Sequence, residues 1–453
     1  MFKKILIANR GEIAVRIIRT CRVMGIRTVA VYSEADREAL HAQLADEAVC
    51  IGAAPASESY LLAERILSAC LASGAEAIHP GFGFLSENSR FARMCEKCGI
   101  VFIGPSPQVM ELMGNKSRAR STMEKAGIPV VPGGDRPVTE TEEAKKLVDG
   151  IGYPLMIKAA LGGGGKGMRV AASEEEFAEA FQVAQLESVR AFGDGTMYLE
   201  KYIEEPRHVE IQILADCQGN TVQLGERDCS VQRYHQKVLE ESPCCALSPE
   251  IRKKLGDTAV SAAKAVGYES AGTIEFLMDK EKNFYFMEMN TRIQVEHPVT
   301  EMITGIDLIR EQICIAAGLP LSVRQEEIGF RGHAIECRIN AEDPGNNFSP
   351  CPGTIEDVHF PGGCGVRIDT AVYSGYEIPP YYDSMIAKVI VQDRSRKEAI
   401  DRMCSVLGEL ILTGVKTNVD FLYDILQEED FRMGEITTDF IPGPSSLKGR
   451  ERR

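Results

Sequence analysis

Two acidic strands near residues 275 and 288 carry the residue types that bind a divalent cation. Thr273–Met278 and Phe284–Asn290 are apolar runs separated by a polar turn, a pattern that predicts an antiparallel hairpin. A hairpin centred near residues 281 and 282 places Glu275 opposite Glu288, and alternation puts Asn290 on the face of Glu288. Two carboxylates and an amide oxygen suit Mg²⁺, with phosphate oxygens completing its shell. The alternative is a solvated hairpin face, which the apolar neighbours disfavour.

A charged run follows the second of these strands directly. Thr291–Pro298 contains Arg292, which can pair with an anion, and Glu296, which can accept a proton. Beside a metal-bearing strand, these two side chains would lie next to a phosphoryl group in transfer. The stretch Gln232–Lys237 offers further positive charge. In isolation the run would be read as a surface ion pair, but its position beside the predicted metal hairpin favours a catalytic role.

Four consecutive glycines occupy residues 162–165, between Lys158 and Lys166. Such a run leaves backbone N–H groups unobstructed, so that it can close over a polyphosphate. It is not a P-loop, because the Gly-x-x-x-x-Gly-Lys-Ser/Thr order is missing and no helix follows directly. The alternative is a flexible hairpin loop. Ordering glycines costs roughly 0.5–1 kcal/mol each relative to alanine, so we favour a phosphate clamp.

Short apolar strands alternate with amphipathic helices over the first hundred residues. This rhythm predicts a doubly wound, mostly parallel sheet, and hence an α/β, Rossmann-like domain. The first strand-to-helix turn, Ala8–Ala14, lacks the Gly-x-Gly-x-x-Gly fingerprint, so NAD binding is not expected. The predicted strands are Ile5–Ala8, Thr28–Tyr32, Ala48–Ile51, Ala77–His79 and Val101–Ile103, with helices over Gly11–Met24 and Tyr60–Ser73.

The pattern of predicted secondary structure changes twice along the rest of the chain. A mixed α+β section begins near Asn115, and the pattern becomes strand-rich after Phe330, where Gly353–His359 is one predicted strand. No internal repeat is visible. The predicted domains are residues 1–114, 115–330 and 331–445, followed by a tail, residues 446–453.

Composition excludes several classes of protein. The 453 residues correspond to roughly three domains at about 150 residues each. The net charge of −15 argues against nucleic acid and anionic membranes as partners, so any phosphate-bearing substrate needs a locally basic pocket. No stretch is long and apolar enough to predict a membrane span or a signal peptide. Fourteen cysteines without a repeating spacing are typical of reduced thiols, so we expect a cytoplasmic protein.

The order of residues in several of these stretches closely resembles biotin carboxylase, an enzyme of the ATP-grasp superfamily. The resemblance covers about residues 2 to 440, and its most specific motif is Glu288–Pro298. The other matching motifs are Ile7–Ala14, His79–Asn88, Met197–Lys201, Pro206–Glu210, Gln232–Lys237, Gly272–Phe276, Glu336–Glu342 and Tyr382–Lys388. It implies an ATP-grasp central domain between a Rossmann-like N-terminal domain and a strand-rich C-terminal domain.

The resemblance also implies a role for individual residues. It implies that ATP is held by Lys116, Lys158, Gly164, Gly165, Glu200, Lys201, Tyr202, Ile203, His208, His235, Glu275 and Glu288. It implies that Mg²⁺ or Mn²⁺ is bound by Glu275, Glu288 and Asn290, bicarbonate by Lys237, Arg292, Gln294 and Val295, and biotin by Phe82, Arg292 and Arg338. The implied catalytic residues are Arg292, Glu296 and Lys237.

The implied reaction is the ATP-dependent carboxylation of biotin with bicarbonate. Glu296 would deprotonate bicarbonate, which attacks the γ-phosphorus to give carboxyphosphate, and Arg292 would stabilise the enolate-like biotin. Arg338 would help to bind biotin or the released phosphate. Two residues depart from the family pattern: Phe82 stands where many members have Tyr, and Tyr234 where Arg is usual. Neither departure removes a catalytic group.

The chain has no Ala-Met-Lys-Met-like biotin attachment site. We therefore expect biotin on a separate biotin carboxyl carrier protein, a carboxyltransferase acting downstream, and a homodimer of this chain. Acetyl-CoA carboxylase, in fatty acid synthesis, is the expected host system. Pyruvate or propionyl-CoA carboxylase and another ATP-grasp ligase remain alternatives, as does a silent ATP-binding protein, against which the intact set of charged residues argues.

Overall fold

A parallel sheet forms the N-terminal part of the chain. The computed structural model describes residues 1–134, 136–160 and 167–441. The sheet order is Glu47–Gly52, Arg27–Ser33, Lys4–Ile7, Ala77–His79 and Val101–Phe102, every neighbouring pair being parallel. Its helices are Gly11–Val23, Leu40–Leu44, Ala63–Ser73, Ser89–Lys97 and Pro107–Gly114. The predicted α/β, doubly wound sheet is confirmed.

A small antiparallel sheet lies at the start of the central part. Its order is Met168–Ala171, Leu155–Ala159 and Met197–Lys201, and the helices Thr141–Ile151 and Glu174–Phe192 pack with it. Their shared core contains Phe177 and Phe181. The predicted glycine clamp connects two of these strands, but residues 161–166 lie outside the described residues, and so does the predicted tail.

An eight-stranded antiparallel sheet dominates the rest of the molecule. Its order is Phe284–Asn290, Ser270–Met278, Arg207–Ala215, Thr221–Arg233, Gln236–Ser242, His333–Asn340, Met385–Asp393 and Val366–Thr370. The last three strands come from the predicted C-terminal section, and Ser242 pairs with Ala334 at the junction. The sheet therefore crosses the predicted boundary at residue 330 without a break, and joins site residues from both sides of it.

Helices cover this large sheet. They are Lys116–Lys125, Pro249–Ala265, His297–Thr304, Leu308–Ala316, Arg396–Glu409, Val419–Gln427 and Glu429–Met433. Local sequence explains several of their starts, since Asn115, Ser248 and Ser395 each accept a hydrogen bond from a backbone N–H three residues ahead. The two helices predicted for the N-terminal domain, Gly11–Met24 and Tyr60–Ser73, are observed as Gly11–Val23 and Ala63–Ser73.

One predicted strand was wrong. Gly353–His359 is divided into two short strands, Gly353–Thr354 and Val358–His359, which pair with Glu377–Ile378 and Ile411–Leu412 respectively. The change of partner between the two pairs breaks the run, and local alternation cannot signal such a change. The remaining short strands, Glu342–Asp343 and Ser349–Pro350, pair with each other.

Two general expectations from composition can be compared with the fold. All fourteen cysteines lie within the described residues and are free thiols. No helix in the described ranges combines the length and apolar character needed to cross a bilayer.

A buried charge cluster fastens the C-terminal segment to the large sheet. Glu241 pairs with His333 at 2.7 Å and with Arg396 at 2.7 Å, and Arg396 also donates to the carbonyl of Phe431 at 2.7 Å. Burial alone raises the pKa of Glu241, but the hydrogen bond and charge of His333 and the charge of Arg396 lower it to about 2. The folded state therefore favours the ionised carboxylate.

Glu241→Gln is expected to lower the free energy of unfolding by about 3 kcal/mol at neutral pH. Because the folded pKa lies below the unfolded value, this contribution is complete above about pH 4.5 and is lost as the pH falls toward about 2. Urea unfolding of both proteins at several pH values should show the difference shrinking over that window. Asp257→Asn, which removes an exposed partner of Lys253, is the control; a pH-independent difference for Glu241→Gln would contradict the argument.

Candidate active site

A cavity of about 1100 Å³ lies where the parallel sheet, the small sheet and the large sheet meet. Of the described residues that line it, ten are Lys or Arg and six are Asp or Glu. The acidic chain thus has a locally basic pocket, as a phosphate-bearing substrate requires. The predicted site residues that line it are Phe82, Lys116, Lys158, Glu200, Lys201, Tyr202, Ile203, His208, His235, Lys237, Glu275, Glu288, Asn290, Arg292, Gln294, Val295 and Arg338.

Three predicted residues are not among the lining residues. Glu296 is fully buried directly behind the wall, where it touches the lining side chains Lys237 and Arg338. Gly164 and Gly165 lie outside the described residues.

The acidic hairpin has the predicted register. Glu275 pairs with Glu288 and Thr273 with Asn290, and a bulge follows Glu275. Asn290 Nδ2 donates to Glu275 Oε1 at 2.7 Å, which confirms that the two strands present these groups to one another. The Glu288 side chain is about one-third exposed, and its Oε2 lies 3.5 Å from the Lys116 ammonium.

The oxygens of this hairpin fit a hard divalent cation. Glu288 is held only loosely by Lys116, and Asn290 Oδ1 has a long 3.4 Å contact from Arg292, so both oxygens have coordinating capacity left. Carboxylate and amide oxygens are the ligands that Mg²⁺ or Mn²⁺ prefers. His208, Glu210 and Glu275 also bring ligand atoms within 4.8 Å of one another, but the Lys237 ammonium takes that position already.

Glu288→Gln is expected to raise the Mg²⁺ concentration needed for half-maximal turnover by about ten- to a hundredfold, the effect of losing one charged contact. A titration of ADP release with Mg²⁺ at fixed ATP measures it. Glu281→Gln removes the same charge from the exposed turn of the same hairpin and serves as the matched control. Identical Mg²⁺ dependence in the two variants would contradict the assignment of Glu288 as a metal ligand.

Lys237 lies at the centre of a buried carboxylate cluster. Its Nζ is 2.6 Å from Glu210, 2.7 Å from Glu296 and 3.1 Å from Glu275. Burial alone lowers the pKa of Lys237, but Cys229 and the three carboxylates raise it well above its usual range. An ammonium so placed remains charged and can turn toward an anion in the cavity.

Glu296 is held between two cations. Its Oε1 accepts from Lys237 at 2.7 Å and its Oε2 accepts from Arg338 at 2.9 Å. Burial alone raises the pKa of Glu296, but the charges of Lys237, Arg338 and Arg227 hold it well below its usual range. The carboxylate is therefore ionised and is ready to accept a proton once these cations turn to another anion.

Arg292 and Gln294 form the adjoining part of the wall. Arg292 Nε contacts Glu87 Oε2 at 3.1 Å, and its Nη1 donates to Gln294 Oε1 at 3.0 Å. Gln294 in turn donates from Nε2 to Glu275 at 3.0 Å. This chain of contacts connects the charged run after the hairpin to the hairpin itself.

Several residues implied for ATP form ion pairs or hydrogen bonds with neighbouring groups. Lys158 forms an ion pair with Glu200 across the small sheet. Lys201 Nζ donates to the carbonyl of Tyr153 at 2.7 Å, and His208 Nε2 lies 2.9 Å from Glu275. Cationic and acidic side chains thus neutralise one another in this part of the cavity.

The two residues that depart from the family pattern occupy different surroundings. Phe82 lines the cavity, and its carbonyl accepts from Asn9 Nδ2 at 2.7 Å. Tyr234 is 47% exposed, and its hydroxyl contacts Asn347 at 3.2 Å. The two departures therefore leave the charged residues around Lys237 and Arg292 unchanged.

Several residues of the site were not predicted. Glu210 and Arg227 share a 2.6 Å ion pair beneath Lys237, and Glu240 accepts from Arg338 Nε at 2.6 Å. Alternation from His208 places Glu210 on the same strand face, so that signal was present. Arg227 and Glu240 belong to a hairpin whose two-residue turn is Tyr-His rather than the usual Asn-Gly, and no local signal marked it.

Comparison with known proteins agrees with this geometry. Residues 1–110 match the biotin carboxylase N-terminal domain, residues 115–324 the ATP-binding domain of the carbamoyl-phosphate synthase L chain, and residues 336–443 the biotin carboxylase C-terminal domain. Biotin carboxylase 1 of Bacillus subtilis is 58% identical over 97% of this chain and 98% of its own length. A pyruvate carboxylase subunit of Methanothermobacter thermautotrophicus is 54% identical over 97% of this chain and 90% of its own.

Solved structures show the same fold. The biotin carboxylase domain of Hydrogenobacter thermophilus 2-oxoglutarate carboxylase, a dimer solved with MgADP, ADP and bicarbonate, superposes with a TM-score of 0.94. It is 54% identical, and the match covers 97% of each chain. With three matching domains, relatives above 50% identity and the predicted residues around one basic cavity, this chain belongs to the biotin carboxylase family of ATP-dependent ligases.

Proposed function

We propose that this chain carboxylates biotin on a separate carrier protein, using ATP and bicarbonate and passing through carboxyphosphate. The observation that carries the proposal is the buried Glu296 carboxylate, held between Lys237 and Arg338 directly behind the cavity wall. Lys237 and Arg338 also attract anions from the cavity, so a bound anion would lie next to the Glu296 base. The Hydrogenobacter relative solved with MgADP and bicarbonate supports this choice of substrates.

In the first step, bicarbonate enters beside Lys237, Arg292 and Gln294. As the anion takes over contacts from Lys237 and Arg338, Glu296 loses part of the positive charge that holds its pKa down, and becomes a stronger base. Glu296 then removes the bicarbonate proton, and the resulting oxygen attacks the γ-phosphorus of ATP. ADP leaves, and carboxyphosphate forms.

Lys116 and Lys158 place the ATP phosphates for this attack, and the other residues implied for ATP hold the rest of the nucleotide. Gly164 and Gly165, which lie outside the described residues, have a phosphate-binding role only by the family resemblance. Glu275, Glu288 and Asn290 would hold Mg²⁺, which neutralises charge on the phosphate oxygens when it is bound. Phosphoryl transfer depends mainly on positioning and charge neutralisation, and these residues supply both.

In the second step, the ureido nitrogen of biotin gives its proton to the departing phosphate and forms a bond to the carboxyl carbon, as the bond between that carbon and the phosphate oxygen breaks. Arg292 stabilises the enolate-like biotin, Arg338 binds biotin or the departing phosphate, and Phe82 contributes to the biotin end of the cavity. Residues 1–114, 115–330 and 331–445 are the proposed domains, and all three contribute side chains to this cavity.

The test is the dependence of ADP release on both co-substrates. We expect rapid release only when bicarbonate and free biotin are present together. Release that is indifferent to biotin would instead favour an ATP-grasp ligase acting on another acceptor, and no release under any condition would favour a silent ATP-binding protein.

We propose acetyl-CoA carboxylase as the host system, with a biotin carboxyl carrier protein, a carboxyltransferase and a second copy of this chain as partners. Relatives named for pyruvate and 2-oxoglutarate carboxylases support those two acceptors as alternatives, and propionyl-CoA is the further alternative that the family resemblance leaves open. Affinity purification of the chain from its own cells, followed by an assay of the attached carboxyltransferase with each acceptor, distinguishes them.

A further inference from the structure

Lys388 is a fully buried lysine that the proposed reaction does not use. Its side chain has no exposed surface, and its Nζ donates to the carbonyl oxygen of Val295 at 2.8 Å. The same ammonium lies 3.3 Å from Glu12 Oε1 and 4.0 Å from Asp369 Oδ2. It therefore connects the first helix, the turn after the metal hairpin and the C-terminal strands.

The surroundings of Lys388 keep it charged. Strand register places it directly between Arg338 and Asp369 on one face of the large sheet. Burial alone lowers the pKa of Lys388, but the carboxylates of Glu12, Glu336 and Asp369 raise it. A charge-assisted hydrogen bond from such an ammonium is stronger than one from a neutral donor, so the Val295 carbonyl is firmly oriented.

Two successive carbonyls of the turn are held in this way. His297 Nδ1 donates to the Gln294 carbonyl at 2.8 Å, and Lys388 donates to the next carbonyl, that of Val295. The side chains of the same turn make other contacts: Gln294 donates to Glu275 at 3.0 Å, and Glu296 accepts from Lys237 at 2.7 Å. Separate partners thus hold the backbone of the turn and the side chains that contact the residues of the site.

We propose that Lys388 is a positioning residue for bicarbonate. By fixing the peptide between Val295 and Glu296, its ammonium holds the base and the adjoining anion-binding groups in the geometry that proton removal requires. This inference rests on the proposed function of the site. It assigns Lys388 no contact with the substrate itself.

The test compares the double variant Glu12→Gln/Lys388→Met with Glu12→Gln alone. Lys388→Met by itself would leave the buried Glu12 carboxylate without its cation and endanger folding, whereas the double variant removes both charges and Asp369 keeps its bidentate partner Arg367. We expect the KM for bicarbonate to rise at least about tenfold, the loss of one charge-assisted hydrogen bond. The KM for ATP and the melting temperature should stay close to those of Glu12→Gln.

A third variant, Lys388→Arg, keeps a charged donor and is expected to recover part of the bicarbonate affinity. The proposal is overturned if the double variant has the bicarbonate KM of Glu12→Gln. It is also overturned if the double variant changes stability, the KM for ATP and the KM for bicarbonate in parallel. If the double variant fails to fold, the proposal is overturned when Lys388→Arg has no selective effect on the KM for bicarbonate. The wild-type protein is assayed alongside. If bicarbonate does not stimulate ADP release by the wild type, the proposed function itself fails, and this result is distinct from a failure of the role proposed for Lys388.

Discussion

Glu296→Gln is expected to lower kcat for biotin-dependent ADP release by about 10²- to 10⁴-fold, the usual contribution of a positioned general base. Glutamine preserves the shape of the side chain and can still accept a hydrogen bond from Lys237 or Arg338, but it cannot remove a proton from bicarbonate. ATP affinity should persist, because Glu296 forms ion pairs with those two cations and not with Lys116 or Lys158. Steady-state turnover and a direct ATP-binding titration give the two quantities.

A buried charge is lost in this variant, so stability needs its own control. Glu301 is also buried and pairs with Arg16 and Arg367 at 2.8 and 2.6 Å, outside the set of residues implied for the reaction. Glu301→Gln removes a comparable charge and should reduce thermal stability while kcat remains near the wild-type value. Turnover by Glu296→Gln within a few-fold of wild type would rule out Glu296 as the base.

Arg292→Ala is expected to reduce kcat/KM for bicarbonate by about 10²- to 10³-fold, since preorganised charged donors supply effects of this size. Its guanidinium contacts Glu87, Gln294 and the Ile293 carbonyl, and reaches Asn290 only at 3.4 Å. The variant should therefore bind ATP with nearly unchanged affinity. Initial rates over a range of bicarbonate concentrations, together with ATP binding, test both parts.

Two further variants sharpen this result. Arg292→Lys keeps the charge but not the forked geometry, so an intermediate rate is expected. Arg310→Ala removes an exposed arginine and should leave both quantities unchanged. If Arg292→Ala lost ATP affinity but kept its turnover at saturation, Arg292 would belong to the nucleotide rather than to bicarbonate and biotin.

The hairpin that carries Glu275 and Glu288 could be predicted from local sequence alone. A polar turn between two apolar strands set the pairing of Glu275 with Glu288, because alternation and turn position together determine register over a few residues. The hairpin formed by Thr221–Arg233 and Gln236–Ser242 was not predicted. Its turn residues, Tyr234 and His235, adopt φ values of 52° and 62°, where glycine or asparagine is the usual signal.

The sequence by itself determined the family, the parallel N-terminal sheet and seventeen of the residues that line the cavity, because these depend on motifs and periodicities within short segments. Only the tertiary structure decided that Glu210, Glu275 and Glu296 share one ammonium, and that Lys388 lies behind Val295. These partners lie up to 93 residues apart in the chain. The pairing of Ser242 with Ala334 joins two sections in one sheet, and such pairings depend on the packing of the whole molecule rather than on local preference.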